Sequence, residues 1–425
     1  MSCCVDEILL SEMGLEMEMK SHGADRIINV IVACDYAFYQ GGAANVAIET
    51  CVALAKYSDF HVYCFAGNGE PCDDLKENDI EVKTLRLPDL LGNTNKVDAM
   101  LKGIYNANVE KAFKQTYKKL DPEETIVHIH TWTKVLTSAV FKAAHDMGFK
   151  TFLTVHEYFL ACPNGACYNY VKKDICEIKP MSLSCLVCNC DARNYPQKVW
   201  RCIRQFKQNS VVRNIKDINY IFISEYQRKQ LLRRIPIPKH QFLVRNPIST
   251  YGDYQVECWK NSNYIYIGRL TGEKGPQVFC EAVTRAKVKG IVIGDGIMLS
   301  ELKNKYPNID FVGWVDKKHM EEYLRTTRAL VFPTQWYEGS PLTVPEVQAH
   351  GVPCVVTDCS SAVDDIQNSV NGLIVHKDAE SIAEGLTKLS DDVVKKMSEE
   401  TFRLYSKTDR SDKTYVENLK RVYEK

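Results

Sequence analysis

A chain of 425 residues with 45% hydrophobic content can bury more than one core, and at about 100–200 residues per domain two domains are expected. Lys plus Arg and Asp plus Glu both total 54, so no global charge excess points to nucleic acid or strongly acidic substrates, and any basic surface must be local. The first 24 residues lack a basic start and an apolar core of signal-peptide length, and no later run approaches the ~18 apolar residues of a membrane span; a cytoplasmic chain with a poorly ordered extension over 1–24 is expected.

Short β-branched runs at 26–33, 60–67, 125–130, 150–156 and 220–224 alternate with segments of helical period such as 43–57, 95–119 and 134–147. This alternation predicts an α/β class, with a parallel sheet covered by helices on both faces. After "FLVRNPIST" (242–250) the rhythm restarts with "NYIYIGRL", "KGIVIGDG", "IDFVGWV", "ALVFPT" and "PCVVTD", each separated by a helical segment. The expected division is an N-terminal domain over 25–248, a C-terminal domain over 249–395, and helices over 396–425 that pack back toward the N-terminal domain.

Ligands of open α/β sheets sit beyond the carboxyl ends of the strands. The stretches just after the strands are polar or Gly-rich: "GGAAN" (41–45), "HIHTW" (128–132), "VHEYF" (155–159), "GRLTGEKG" (268–275), "GDG" (294–296) and "YEGSP" (337–341). His128 is expected to be buried and His130 to line a cleft. In "WYEGSPLTVPEVQAHGVPCVVTD" (336–358), Ser340 suits an N-cap and Pro341 the first helical position, so a helix is predicted to begin there. Its free amides from Gly339 to Thr343 would favour an anion such as phosphate. Glu338 and Glu346 then need other partners, and sugar hydroxyls fit ionised carboxylates. From Pro341 to Glu346 a helix advances about 7–8 Å, so the two acids could grip hydroxyls on either side of a diphosphate. Glu338 as a dipole-favoured acid and Glu346 as an exposed face residue remain open on spacing alone. Arg269 and Lys274, five residues apart in a Gly-punctuated loop after a buried strand, suit a phosphate cradle.

The run from Tyr264 to about Leu389 resembles the C-terminal domain of retaining GT-B glycosyltransferases of family 4, which use nucleotide-activated sugars. The motifs that carry the likeness are "YIGRLTGEKGPQVFCEA", "IVIGDG", "VGWV", the "ALVFPTQWYEGSPLTVPEVQAHGVPCVVTD" stretch and "NGLIV". The resemblance implies a GT-B fold of two Rossmann-like, doubly wound parallel-sheet domains facing a cleft. It implies that Glu338 contacts the transferred sugar and Glu346 the ribose, as the family's E-x7-E pair. It implies that Gly339, Ser340, Pro341 and Leu342 approach the diphosphate and sugar, and that Arg269 and Lys274 neutralise the leaving diphosphate. "GGAANVA" looks like the family's Gly-rich loop, bringing in Gly41 and Gly42; "TVHEYF" places His156 near the donor sugar; and Gly294 falls in a loop the family uses near the nucleotide. Metal-independent hexosyl transfer to a glycan or lipid-linked acceptor in surface-polysaccharide synthesis is thereby expected, and no clear Asp-x-Asp motif stands in the sequence. A GT-B-type nucleotide-sugar epimerase and a non-catalytic scaffold are the rival readings.

Seven of the seventeen cysteines lie between 162 and 202, within an expected insertion over 160–202 that also resembles a subset of bacterial surface-polysaccharide glycosyltransferases. The C-x2-C pair suits a tetrahedral structural zinc site, with Cys162, Cys176, Cys185 and Cys188 as ligands and Cys167 and Cys190 as substitutes. The following stretch, 193–216, has seven basic residues and no acid. Val199, Ile203 and Phe206 fall on one helical face and Lys198, Arg201 and Arg204 on another, which suits the surface of an anionic membrane or, equally, a solvated helix.

Overall fold

The computed structural model describes residues 27–88, 96–248 and 253–425, so the extension expected over 1–24 lies outside the described residues. In the first half, β1 (Ile28–Tyr36) leads through α1 (Gly42–Ala55), β2 (Phe60–Asn68), α2 (Asp73–Glu77), β3 (Glu81–Thr84), α3 (Lys96–Ile104), α4 (Ala107–Tyr117), β4 (Thr125–Ile129) and α5 (Ala139–Asp146) to β5 (Lys150–Val155). A Cys-rich excursion follows, with the short strands β6 (Tyr168–Asn169) and β7 (Asp174–Ile175), α6 (Leu183–Val187) and the long α7 (Tyr195–Val212). Then β8 (Asn219–Phe222), α8 (Glu225–Leu232) and β9 (His240–Leu243) complete a seven-stranded parallel sheet of order β3-β2-β1-β4-β5-β8-β9.

The second half runs β10 (Asn263–Ile267), α9 (Pro276–Ala286), β11 (Lys289–Ile293), α10 (Leu299–Lys305), β12 (Asp310–Gly313), α11 (Lys317–Leu324), β13 (Thr327–Phe332), α12 (Thr343–Gln348), β14 (Cys354–Thr357), β15 (Gly372–Val375), α13 (Ala379–Thr387) and α14 (Asp391–Tyr405). Its six strands are parallel in the order β12-β11-β10-β13-β14-β15, a doubly wound sheet. Central strands read as nearly continuous apolar runs because helices cover both faces: all of β4 and β13 is buried.

The final helix, α15 (Asp412–Tyr423), crosses back to the first half. Its Tyr415, Val416, Leu419, Val422 and Tyr423 sit in the same buried cluster as Val30, Val32 and Phe152. Tyr423 bonds His128 Nδ1 through its hydroxyl at 2.6 Å and accepts from Lys150 Nζ at 2.7 Å through its carbonyl. By contrast, α14 stays with the second half, where Val394 and Met397 join the core of β10 and β13. The segment 396–425 is therefore divided between the two halves.

Candidate active site

Strand order reverses beside the first strand of each sheet, between β1 and β4 and between β10 and β13. A crevice is expected at such a point, and the loops leaving these strands line one cleft of about 480 Å³ between the two halves. Gly42 and His156 reach it from the first half; Arg269, Lys274, Glu338, Gly339, Ser340, Pro341, Leu342 and Glu346 reach it from the second.

Backbone contacts explain how Lys274 and Glu338 meet. The loop after β10 ends in Gly275, which adopts a left-handed φ of 75°, and a Cβ there would stand 2.0 Å from the Pro333 carbonyl oxygen. Only glycine lets this loop press against the one that leaves β13. The contact is locked by Gln335 N–H donating to the Glu273 carbonyl at 2.8 Å and by the Thr334 hydroxyl donating to the same oxygen at 3.2 Å. Lys274 and Glu338 then form an ion pair with both side chains mostly buried. Trp336 Nε1 donates to the same carboxylate oxygen at 2.8 Å, and the Lys274 ammonium lies 5.2 Å from the centre of the Trp336 ring. Arg269 stays exposed at the cleft edge, where its guanidinium can meet an entering anion.

The helix beyond this loop starts later than the sequence suggests. It begins at Thr343 with Leu342 at the N-cap position and no side-chain cap, so Ser340 and Pro341 remain in the preceding turn. Pro345 supplies the reason. A helix begun at Pro341 would hold Pro345 in its interior, where the ring clashes with the carbonyl four residues back; starting at Thr343 puts Pro345 in the first turn, where an N–H is not needed. The amides of 339–343 therefore line the cleft as a turn rather than as the start of a long helix. Gly339 is also a point of close approach between the halves: a Cβ would stand 2.7 Å from Gln227 Nε2 and 2.8 Å from the His156 carbonyl oxygen. Ser224, the N-cap of α8, donates its hydroxyl to the Gly339 carbonyl at 2.6 Å.

On the opposite wall, His156 directly follows β5 and its Nε2 is 3.1 Å from His130 Nδ1. Burial pushes the His156 pKa down to about 4 and that of His128 to about 3, and holds His130 well below the ordinary value. All three rings are therefore neutral near pH 7. His128 is fully buried, with Nε2 2.7 Å from the Thr154 hydroxyl; His130 is buried too, and it lines a small cavity beside His156 rather than the main cleft. Gly41 and Gly294 do not line the cleft. Gly41 is the N-cap of α1, one residue short of it, and Gly294 packs behind the wall, where a Cβ would meet the Gly268 carbonyl oxygen at 1.9 Å. Asn45 and Trp336 escaped the sequence reading. Asn45 lines the cleft with a buried Oδ1 that has no hydrogen-bond partner among the described residues, and the signal was its place one turn into the helix that follows Gly41.

Residues 261–392 match the family model described as "Glycosyl transferases group 1". That stretch, about a third of the chain, is similar to the group 1 glycosyl transferases. The Escherichia coli UDP-Gal:alpha-D-GlcNAc-diphosphoundecaprenol alpha-1,3-galactosyltransferase is 26% identical over 152 residues, which are 32% of this chain and 38% of that protein. The Campylobacter jejuni N,N'-diacetylbacillosaminyl-diphospho-undecaprenol alpha-1,3-N-acetylgalactosaminyltransferase is 26% identical over 194 residues, 41% of this chain and 51% of that one. The matches thus span about half or less of these curated relatives. Sucrose-phosphate synthase from Thermosynechococcus elongatus superimposes with a TM-score of 0.67 at 15% identity, covering 94% of this chain and 98% of that structure. The architecture is the two-domain GT-B fold, and the stretch that matches the family model lies in its second half.

Outside that stretch, the structure brings only part of the expected zinc set together. Cys162, Cys176 and Cys185 line a small cavity together with Cys167 and Cys190, but Cys188 lies outside it and accepts from Asn169 Nδ2 at 3.6 Å. Among the described residues no group of three His, Cys, Asp or Glu side chains is arranged to hold a metal ion. Lys198 enters among the sulfurs: its fully buried side chain donates to Cys185 Sγ at 3.4 Å.

The expected basic face of α7 is likewise corrected. Lys198 and Arg204 are buried, and Arg201 is paired with Asp191 at 2.7 Å. Arg204 packs its guanidinium 4.9 Å from the Phe159 ring centre and donates to the Thr133 and Pro163 carbonyls at 3.3 and 3.2 Å. Those acceptors draw the cations inward, and Val199, Ile203 and Phe206 are left facing out. No helix among the described residues is long and apolar enough to cross a membrane.

Proposed function

We propose that the protein is a glycosyltransferase that moves a sugar, with retention of configuration, from a nucleoside-diphosphate sugar to a lipid-linked glycan during bacterial surface-polysaccharide synthesis. The observation that carries this reading is the convergence of Glu338, Lys274, Arg269 and Glu346 with His156 on a single cleft between the two halves. Both relatives are named for transfer to diphosphoundecaprenol-linked sugars, which supports the acceptor class.

In this reading the bond between the anomeric carbon and the diphosphate breaks, and an acceptor hydroxyl bonds to that carbon on the same face. The departing diphosphate oxygen takes the hydroxyl proton. Charge builds on that diphosphate, and Arg269 and Lys274 stabilise it where it develops, with the turn amides around Gly339 as further donors. Glu338, already held by Lys274 and Trp336, accepts a hydroxyl of the transferred sugar, and Glu346 accepts ribose hydroxyls. Neutral His156 offers a hydrogen bond to the sugar without adding a charge.

The test is a thermal-shift screen with UDP, GDP, ADP and CMP sugars, followed by incubation of the stabilising donor with and without a prenyl-diphosphate-linked sugar. Stabilisation by one base, followed by release of the nucleoside diphosphate that depends on the acceptor, is expected. Conversion of the donor into another nucleotide sugar with no acceptor present would make the protein an epimerase instead.

A further inference from the structure

We infer that His130, buried behind the cleft wall, is a positioning residue that fixes what His156 shows to the cleft: it donates from Nδ1 to His156 Nε2, so that His156 carries its own proton on Nδ1. The starting observation is a repeated contact between two strands. β4 and β5 lie side by side in parallel, with His128 opposite Phe152 and Ile129 opposite Leu153. Side chains two residues apart share a face of the sheet. The same step therefore recurs as two successive rungs, His128 on the Thr154 hydroxyl and then His130 on His156. The backbone of His130 is fixed as well, its N–H donating to the Ala33 carbonyl at 2.9 Å. Its ring is 2% exposed, with its centre 4.2 Å from that of His128 and 5.3 Å from that of His156.

The far side of His130 decides the direction of the bond. Burial keeps both rings neutral near pH 7, and a neutral imidazole has one N–H and one lone pair, so no ring donates from both nitrogens. His130 Nε2 is buried and has no hydrogen-bond partner among the described residues. It borders a cavity of about 20 Å³ whose wall includes Trp132, Leu153, Val155 and Leu160, and no polar group of that wall bonds to it. A buried N–H left alone is rarer than an unmet lone pair, so the proton belongs on Nδ1. His128 cannot relieve Nε2, because its own nitrogens are taken by the Tyr423 and Thr154 hydroxyls. With Nε2 accepting, His156 has Nδ1–H left for the cleft that it lines. Glu338 and Glu346 in the same cleft only accept, so a hydroxyl there can give its hydrogen to a carboxylate and take one from His156. That this hydroxyl belongs to a sugar rests on the proposed function; the placement of the proton does not.

The test is nitrogen NMR of the full chain with isotope-labelled histidines at neutral pH and no sugar nucleotide present, the His156 signals being identified by their loss in His156→Gln. A protonated Nδ1 and an unprotonated Nε2 are expected for His156, the reverse of the form that a histidine ring free in water prefers. His130→Leu should return His156 to that free-ring form. His130→Asn should not, because its side-chain amide can donate from where Nδ1–H stood. With the donor found by the thermal-shift screen, His130→Leu should lower kcat about five- to tenfold, the worth of one neutral hydrogen bond, and His130→Asn should recover most of the rate. Affinity for the nucleoside diphosphate alone should be the same in all three proteins; a parallel loss in His130→Leu would make His130 a structural residue and overturn the inference. The wild-type spectrum decides even where a variant fails to fold: a proton on His156 Nε2 overturns the inference, and so does an Nδ1–H that persists in a folded His130→Leu. The spectrum needs no turnover, so an absent transfer reaction beside the expected spectrum removes the proposed function alone, and transfer beside the opposite spectrum removes the inference alone.

Discussion

Lys274 and Glu338 form an ion pair across loops that leave neighbouring strands, and Trp336 donates to the same carboxylate oxygen. The acid and the base are thus positioned before any ligand arrives. If Glu338 holds a sugar hydroxyl and Lys274 a phosphate, Glu338→Gln and Lys274→Met should each lower transfer by about 10²–10³, the usual cost of removing one preorganised electrostatic contact. Because the two act as a unit, the double variant should lose little more than either single one. Initial rates of nucleoside diphosphate release would check this, and full activity in Glu338→Gln would remove Glu338 from the site.

Gly339 sits where the two halves touch, so Gly339→Ala should wedge them apart. The added methyl meets Gln227 and the His156 backbone. Overpacking of this kind costs about 1–3 kcal/mol, so a lower melting temperature and a reduced kcat/KM are expected together. Adding Gln227→Gly should recover only part of the loss, because the His156 carbonyl cannot retreat as a side chain can.

Acid should destabilise the protein before its carboxylates titrate. His128, His130 and His156 are held neutral by burial, with folded pKa values depressed to about 3, well below ordinary, and about 4. The unfolded chain therefore binds more protons than the folded one from about pH 6.5 downward, and stability falls as pH falls through that window. Each such proton adds about 1.4 kcal/mol per pH unit to the slope. Denaturant midpoints between pH 7 and pH 5 would measure it; a flat profile would mean that the rings are accessible.

The His128–Tyr423 contact ties the last helix to the first sheet. Tyr423→Phe should cost about 1–3 kcal/mol, since a buried ring nitrogen loses its partner, with little change in kcat because neither residue lines the cleft. Urea unfolding separates this from a catalytic effect.

How much of this the sequence held depended on how local the cause was. The two α/β rhythms were legible in runs such as "NYIYI" and "ALVF", because parallel strands covered on both faces must be continuously apolar. Arg269, Lys274 and Glu338 were legible as candidates because each lies in a loop that leaves a strand, where crevices form, and Glu346 because it lies in the helix that follows such a loop. The start of α12 was misread although Pro345 was in plain view; its clash with a carbonyl four residues back outweighs the cap chemistry of Ser340. The orientation of α7 was not legible, because Arg204 is drawn inward by the Thr133 and Pro163 carbonyls, which are far away in sequence, and Lys198 by the Cys185 sulfur. Period alone names two faces of a helix without saying which of them has partners.

The chain crosses between its halves twice, once after β9 and once between α14 and α15, and the crossings lie side by side: Ile248 N–H donates to the Arg410 carbonyl at 3.0 Å. Asp365 of the second half takes both Arg245 and Arg410 at the same place. Two adjoining straps act like the leaves of a door hinge. With both covalent crossings at one place, any change in the separation of the halves must be taken up there.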